Sequence, residues 1–142
     1  MNATEALQQA RLYTDGVDYL LVHLPANAIT RAAGILAEIG DPFGAMIVDK
    51  DEVTLVIPAE MQPVFATRLT DAEFSTPYRL LTFDLVLPSD LIGFMALVAK
   101  ILAIVEISII PLGAYARDHI LIPSPLFDKA LEALRSAQVN SK

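Results

Sequence analysis

Leu24-Pro25-Ala26-Asn27-Ala28-Ile29 and Leu87-Pro88-Ser89-Asp90-Leu91-Ile92 are two versions of one phrase, set 63 residues apart. Val56-Ile57-Pro58 returns as Leu121-Ile122-Pro123, 65 residues on, so two residues were gained between these landmarks. Matched punctuation at a nearly fixed offset marks two copies of one supersecondary unit. Such a pair builds two similar cores and a junction, and junctions of that kind are natural pockets.

Working outward from the phrase, residues 19–24 form a strand stopped by Pro25, which cannot continue a central ladder. Asn27 stands at a cap position, and Ile29, Ala32, Ala33, Leu36 and Ile39 follow at helical spacing until Gly40. Residues 45–48 and 52–57 flank Asp49-Lys50-Asp51, which suits a hairpin turn. A second helix is expected over 61–69, with Pro63 tolerated in its first turn. Polar residues 70–77 mark the boundary between copies. The second copy keeps the order: strand 78–87, turn and Asp90 cap, helix 91–103, strands 104–110 and 119–122. A last helix starts at Pro125, a residue favoured where its missing N–H has no intrahelical partner. Each copy therefore reads β-α-β-β-α. That is an α+β architecture, with an antiparallel-rich sheet covered by helices on one face. The domains are a 1–16 arm, holding a weak helix or loosely docked, then repeats over 17–72 and 73–142.

Composition narrows the function. The 142 residues fit one domain or two small units. A 54% hydrophobic fraction and a mean hydropathy of +0.50 call for an extra apolar interface. A net charge of −7 argues against nucleic acid, which needs clustered Lys and Arg. With no cysteine, disulfides and thiol chemistry are out, and the compartment is left open. The N-terminal residues do not read as a signal peptide. Residues 91–111 are almost continuously apolar and long enough to span a bilayer. Lys100 and Glu106 lie inside them, however, at about 2.5–3.5 kcal/mol each near the centre of a spanning helix. Splitting the segment into a buried helix and a buried strand avoids that cost, so no membrane partner is expected.

The second copy resembles an ACT-type regulatory domain, whose signature is a strand, a turn with Asp, then Gly and a Leu/Val helix. The stretch Leu85-Val86-Leu87-Pro88-Ser89-Asp90-Leu91-Ile92-Gly93-Phe94-Met95-Ala96-Leu97-Val98 carries that pattern. The segment Gly113-Ala114-Tyr115-Ala116-Arg117-Asp118-His119-Ile120-Leu121-Ile122-Pro123 resembles a stretch of small bacterial proteins built from two ACT-like repeats. Together the resemblance covers roughly residues 17–137. It implies two ferredoxin-like βαββα(β) repeats that bind small molecules, often amino acids, at the junction of paired units. Copy one departs from the pattern, with Asn27 and Thr30 where copy two has Asp90 and Gly93. The sixth strand that the family carries has a candidate in 71–76 for copy one. Residues 139–142 are a poor candidate in copy two.

The turn holding Ser89, Asp90, Leu91, Ile92 and Gly93 is the leading ligand-site candidate. A helix N-terminus offers unpaired N–H groups to a carboxylate. Gly93 admits close backbone approach, and Asp90 can accept from an ammonium group. Asp90 is equally well explained as an N-cap. Ile110 lies on the expected facing strand. Tyr115 fits either a pocket mouth or a core cap, and His119 a hydrogen-bonding role. Asp118 and His119 are neighbours on a strand, so their side chains point to opposite faces and make no dyad. His23 and His119 alone make a poor zinc site. No nucleophile elbow, phosphate loop or HExxH motif occurs.

The expected function is a cytoplasmic, non-catalytic, amino-acid-binding regulatory protein, forming a homodimer and using no cofactor. The alternative is a protein-interaction module without a ligand. A small enzyme is the third reading, with Asp118, His119 or Asp90 as its only anchors.

Overall fold

The computed structural model describes residues 1–140. In chain order they form α1 (Ala3–Gln9), β1 (Arg11–Tyr13), β2 (Asp18–Pro25), α2 (Ile29–Ile39), β3 (Ala45–Val48), β4 (Glu52–Pro58), β5 (Glu73–Phe74), β6 (Tyr78–Asp84), α3 (Phe94–Ile104), β7 (Ile110–Gly113), β8 (Asp118–Pro123) and α4 (Phe127–Asn140). The chain divides into two compact units, Val17–Tyr78 and Met1–Gly16 together with Arg79–Lys142. Each unit is an antiparallel sheet with helices on one face, the ferredoxin-like arrangement of ACT domains.

In the unit Val17–Tyr78, β4 lies between β3 and β2, and β5 adds to β2 through Val22↔Phe74 and His23↔Glu73. Side chains alternate across a strand, so Val22 and Leu24 of β2 join Val53, Leu55 and Ile57 of β4 on one face. There they pack with Ala32 and Ile35 of α2 in one buried cluster. The helix expected over 61–69 is absent; short 3-10 turns at Ala59–Met61 and Ala66–Arg68 take its place. Pro63 has no N–H to bond the carbonyl four residues back. That carbonyl, of Ala59, is taken by the Gln62 N–H at 3.2 Å instead. The segment is then pinned from α2. Arg31 donates to both carboxylate oxygens of Asp71 (2.7 and 3.0 Å) and to the Arg68 carbonyl, and Arg68 pairs with Glu38.

In the other unit, β8 lies between β6 and β7, while β1 pairs with β6 through Arg11↔Asp84, Leu12↔Phe83 and Tyr13↔Thr82. Leu81, Phe83, Ile120 and Ile122 meet Val98 and Leu102 of α3 and Ala130 and Leu134 of α4. The N-terminal residues are no loose arm. Asn2 and Glu5 form a reciprocal capping box on α1, and Ala6 and Leu7 are fully buried in this core. Gln138 of α4 donates to the carbonyls of Leu7 (2.8 Å) and Ala10 (2.7 Å). β1 extends the sheet beside the first strand of its unit, as β5 does beside β2. Val139 and Asn140, weighed above as the start of a final strand, belong to α4, and positions 141–142 lie outside the described residues.

The internal duplication is visible bond by bond. α2 and α3 are 11 residues each and start 65 residues apart. β3 and β7 keep the same offset, as do the 3-10 turns Ala59–Met61 and Ser124–Leu126. The turn before each helix keeps the other offset: the Ala28 N–H reaches the Pro25 carbonyl at 3.0 Å, and Leu91 reaches Pro88 at 3.1 Å. The two gained residues are therefore Ile92 and Gly93, inserted between turn and helix.

That insertion moves the helix start. Gly93, at φ +81°, is the N-cap of α3, and neither Asp90 nor Asn27 caps a helix; Ala28 precedes α2 with no side-chain bond. The strand expected over 104–110 is also shifted. Ile104 still belongs to α3, whose buried Val98 and Leu102 hold the helical register against the β-branched run, and strand pairing waits until Ile110. α3 ends in a Schellman turn, with Ile107 N–H to Leu102 O and Glu106 N–H to Ala103 O, both 3.0 Å. Glu106 sits at its left-handed position, φ +60°. The apolar stretch is thus broken, and among the described residues no helix is long and apolar enough to cross a membrane.

Candidate functional site

A cleft of ≈ 290 Å³ opens between the turn before α3 and the β7–β8 connection. Leu87, Pro88, Ser89, Leu91 and Phe94 form one wall, and Ala114, Tyr115, Ala116, Arg117 and Asp118 the other. Two backbone bonds set its width: Leu87 N–H to Ala116 O (2.8 Å) ties the walls together, and Ala114 N–H to Arg117 O (3.0 Å) closes the hairpin. Phe94 is anchored below by an edge-to-face contact with Phe83, ring centres 5.1 Å apart. Its lining mixes aliphatic surface with one cation, one carboxylate and the Ser89 hydroxyl.

The cation is held from behind. Arg117 donates from Nε to one oxygen of Asp84 at 2.8 Å, and Arg11 of β1 donates to the other at 2.9 Å. The Arg117 bond first, then the Arg11 bond, hold the Asp84 carboxyl below the usual carboxylate range.

Three expected site residues, Ser89, Leu91 and Tyr115, line this cleft, and Tyr115 is fully exposed at its mouth. Asp90 and Ile92 line a separate depression with Met1, Asn2 and the shared Pro88 and Leu91. Gly93 starts α3 with open space around its Cα. Ile110 begins β7, outside the cleft lining, paired with Leu121. His119 is half-buried, its Nδ1 2.7 Å from the Thr82 hydroxyl, and burial pushes its pKa down despite the nearby Asp118 carboxylate. Asp118 and His119 thus serve different surroundings. Among the described residues no three His, Cys, Asp or Glu side chains gather as a metal site.

Comparison with known proteins fits this geometry. The ACT domain family model matches residues 73–136, which span both walls of the cleft. Residues 73–136 match the ACT domain family. Among solved structures, the chain is similar to a protein of unknown function from Vibrio cholerae described as a possible transport protein. That match has a TM-score of 0.71 and 23% identity over 93% of both chains. A protein from Agrobacterium tumefaciens matches at TM-score 0.67 and 22% identity over 86% of this chain and 84% of that one. The ligand-free regulatory subunit of aspartate kinase from Thermus thermophilus matches at TM-score 0.66 and 16% identity, over 89% and 95%. At these identities the likeness is one of fold. No curated protein matches the sequence.

Sequence reasoning overlooked Arg117, Asp84 and Arg11 as a group. A signal was present in the repeat. The ACT domain has Ala114-Tyr115-Ala116-Arg117 where the other copy has Asp49-Lys50-Asp51-Glu52. Asp49 accepts from the N–H groups of Asp51 (2.7 Å) and Glu52 (3.0 Å), so that turn is consumed by its own acidic side chain. Alanine cannot do this, and the ACT domain's hairpin is left to face the cleft.

Proposed function

We propose that this protein is a non-catalytic regulatory module whose ACT domain binds a small amino-acid-like molecule in the cleft between the Pro88–Leu91 turn and the Ala114–Asp118 connection. The observation that carries this reading is the pairing of opposite charges, Arg117 and Asp118, on one wall of a cleft inside the ACT domain. An α-amino acid needs an acceptor for its ammonium group and a donor for its carboxylate, and these residues supply one of each. Ser89, Leu91 and Tyr115 form the surrounding wall, while the turn containing Asp90, Ile92 and Gly93 sets the position of Ser89 and Leu91. Ile110 and His119 support the hairpin and the sheet beneath it. Regulation follows if the ligand favours one conformation over another, since only differential affinity shifts a population. A cytoplasmic homodimer is the assembly that this role best fits.

The test is calorimetry and thermal shift against the twenty amino acids. One or a few should raise the melting temperature in a concentration-dependent way, and Arg117→Met should abolish that shift. A flat screen removes the ligand claim. Light scattering that returns the mass of a single chain removes the dimer.

A further inference from the structure

Asp84 bonds both a residue of the cleft wall and the N-terminal segment. Its Oδ1 accepts from the cleft residue Arg117, and its Oδ2 accepts from Arg11, which stands directly opposite it in the β1–β6 register. A second contact runs alongside. The turn that forms the other cleft wall also borders Met1 and Asn2, through Pro88, Asp90, Leu91 and Ile92. The N-terminal segment therefore abuts the cleft machinery at both of its ends, β1 on the Arg117 side and the start of α1 on the turn side.

We propose that Asp84 couples the cleft to the N-terminal segment, so that a change at Arg117 is felt in the docking of β1. Arg117 fixes one carboxylate oxygen and thereby orients the other towards Arg11. Repulsion between the two guanidinium groups acts in the opposite sense. Arg11 is 72% exposed, so solvent screens that repulsion, whereas the hydrogen bonds are short and directional. Orientation wins. An anionic group entering the cleft competes with Asp84 for Arg117 and loosens β1. This regulatory consequence rests on the cleft being the ligand site; the coupling between the two arginines does not.

Backbone hydrogen exchange tests it in the full chain. Arg117→Met should speed exchange of the β1 amides about twofold to fivefold, the range of a partly exposed ion pair. Amides of β8 and α4 should keep their protection, and Arg117→Lys should restore β1 in part. In an Asp84→Asn background, Arg117→Met should add nothing. An unchanged β1 in Arg117→Met, or the same increment persisting without Asp84, overturns the coupling. If an amino acid from the screen binds, it should accelerate β1 exchange in the natural protein and not in Asp84→Asn; binding without that acceleration overturns the regulatory step. A flat amino-acid screen with the arginine coupling intact would sink the ligand reading and leave the coupling standing.

Discussion

Gly93 has a conformational role that is independent of any ligand. It follows a turn and caps the start of α3 in the left-handed region. An L side chain at φ +81° is strained even though a Cβ there would meet no atom within 4 Å. Gly93→Ala should lower unfolding free energy by about 1–2 kcal/mol in urea titration, and Gly93→Asn by less. His119 carries a second prediction at this scale. Burial holds its folded-state pKa below the ordinary 6.5, so the unfolded chain takes up the proton first. Its contribution is complete above the unfolded value and is lost as pH falls from there towards the folded value. Stability measured against pH should therefore decline on the acid side of about 6.5, and His119→Gln should flatten that decline.

Among the elements, α3 and the segment after it decide most. Residues 91–111 were correctly split into helix and strand, because Lys100 and Glu106 made a continuous apolar rod costly. Where the split falls could not be read from β-propensity. Tertiary packing of Val98 and Leu102 carried the helix through Ile104, and a Schellman turn ended it. Glu106 occupies the left-handed position where glycine is usual. Glu106→Gly should stabilise by about 1 kcal/mol, visible as a higher denaturant midpoint with an unchanged slope. The missing helix over 61–69 teaches the converse. Its apolar residues Phe65 and Leu69 are buried, but Pro63 and the pins from Arg31 hold the backbone in tighter turns.

At the scale of the whole molecule, the first and last helices meet. Gln138 clips α4 to the last turn of α1, and β1 adds to the sheet that β6, β8 and β7 form. Removing residues 1–16 should take β1 from β6, which keeps β8 as its neighbour, and open the cluster around Ala6 and Leu7. The expected result is selective loss of exchange protection in β6, α3 and α4, with β2 and β4 retained. Gln138→Leu should give a milder form, confined to α1 and β1, because it leaves the two carbonyls without their donor.

The sequence by itself determined the duplication, the strand-helix-strand-strand order that both copies share, the break in the long apolar segment and the ACT resemblance. These follow from local punctuation and periodicity, which act within a few residues and are written in the chain. Only the tertiary structure decided that residues 1–16 belong to the ACT-domain unit, that Ile92 and Gly93 are the inserted pair, and that Arg11, Asp84 and Arg117 meet. The physical reason is distance along the chain. Arg11 and Asp84 are 73 residues apart, and no local pattern encodes which carboxylate a long-range strand pairing will bring within 3 Å of a guanidinium.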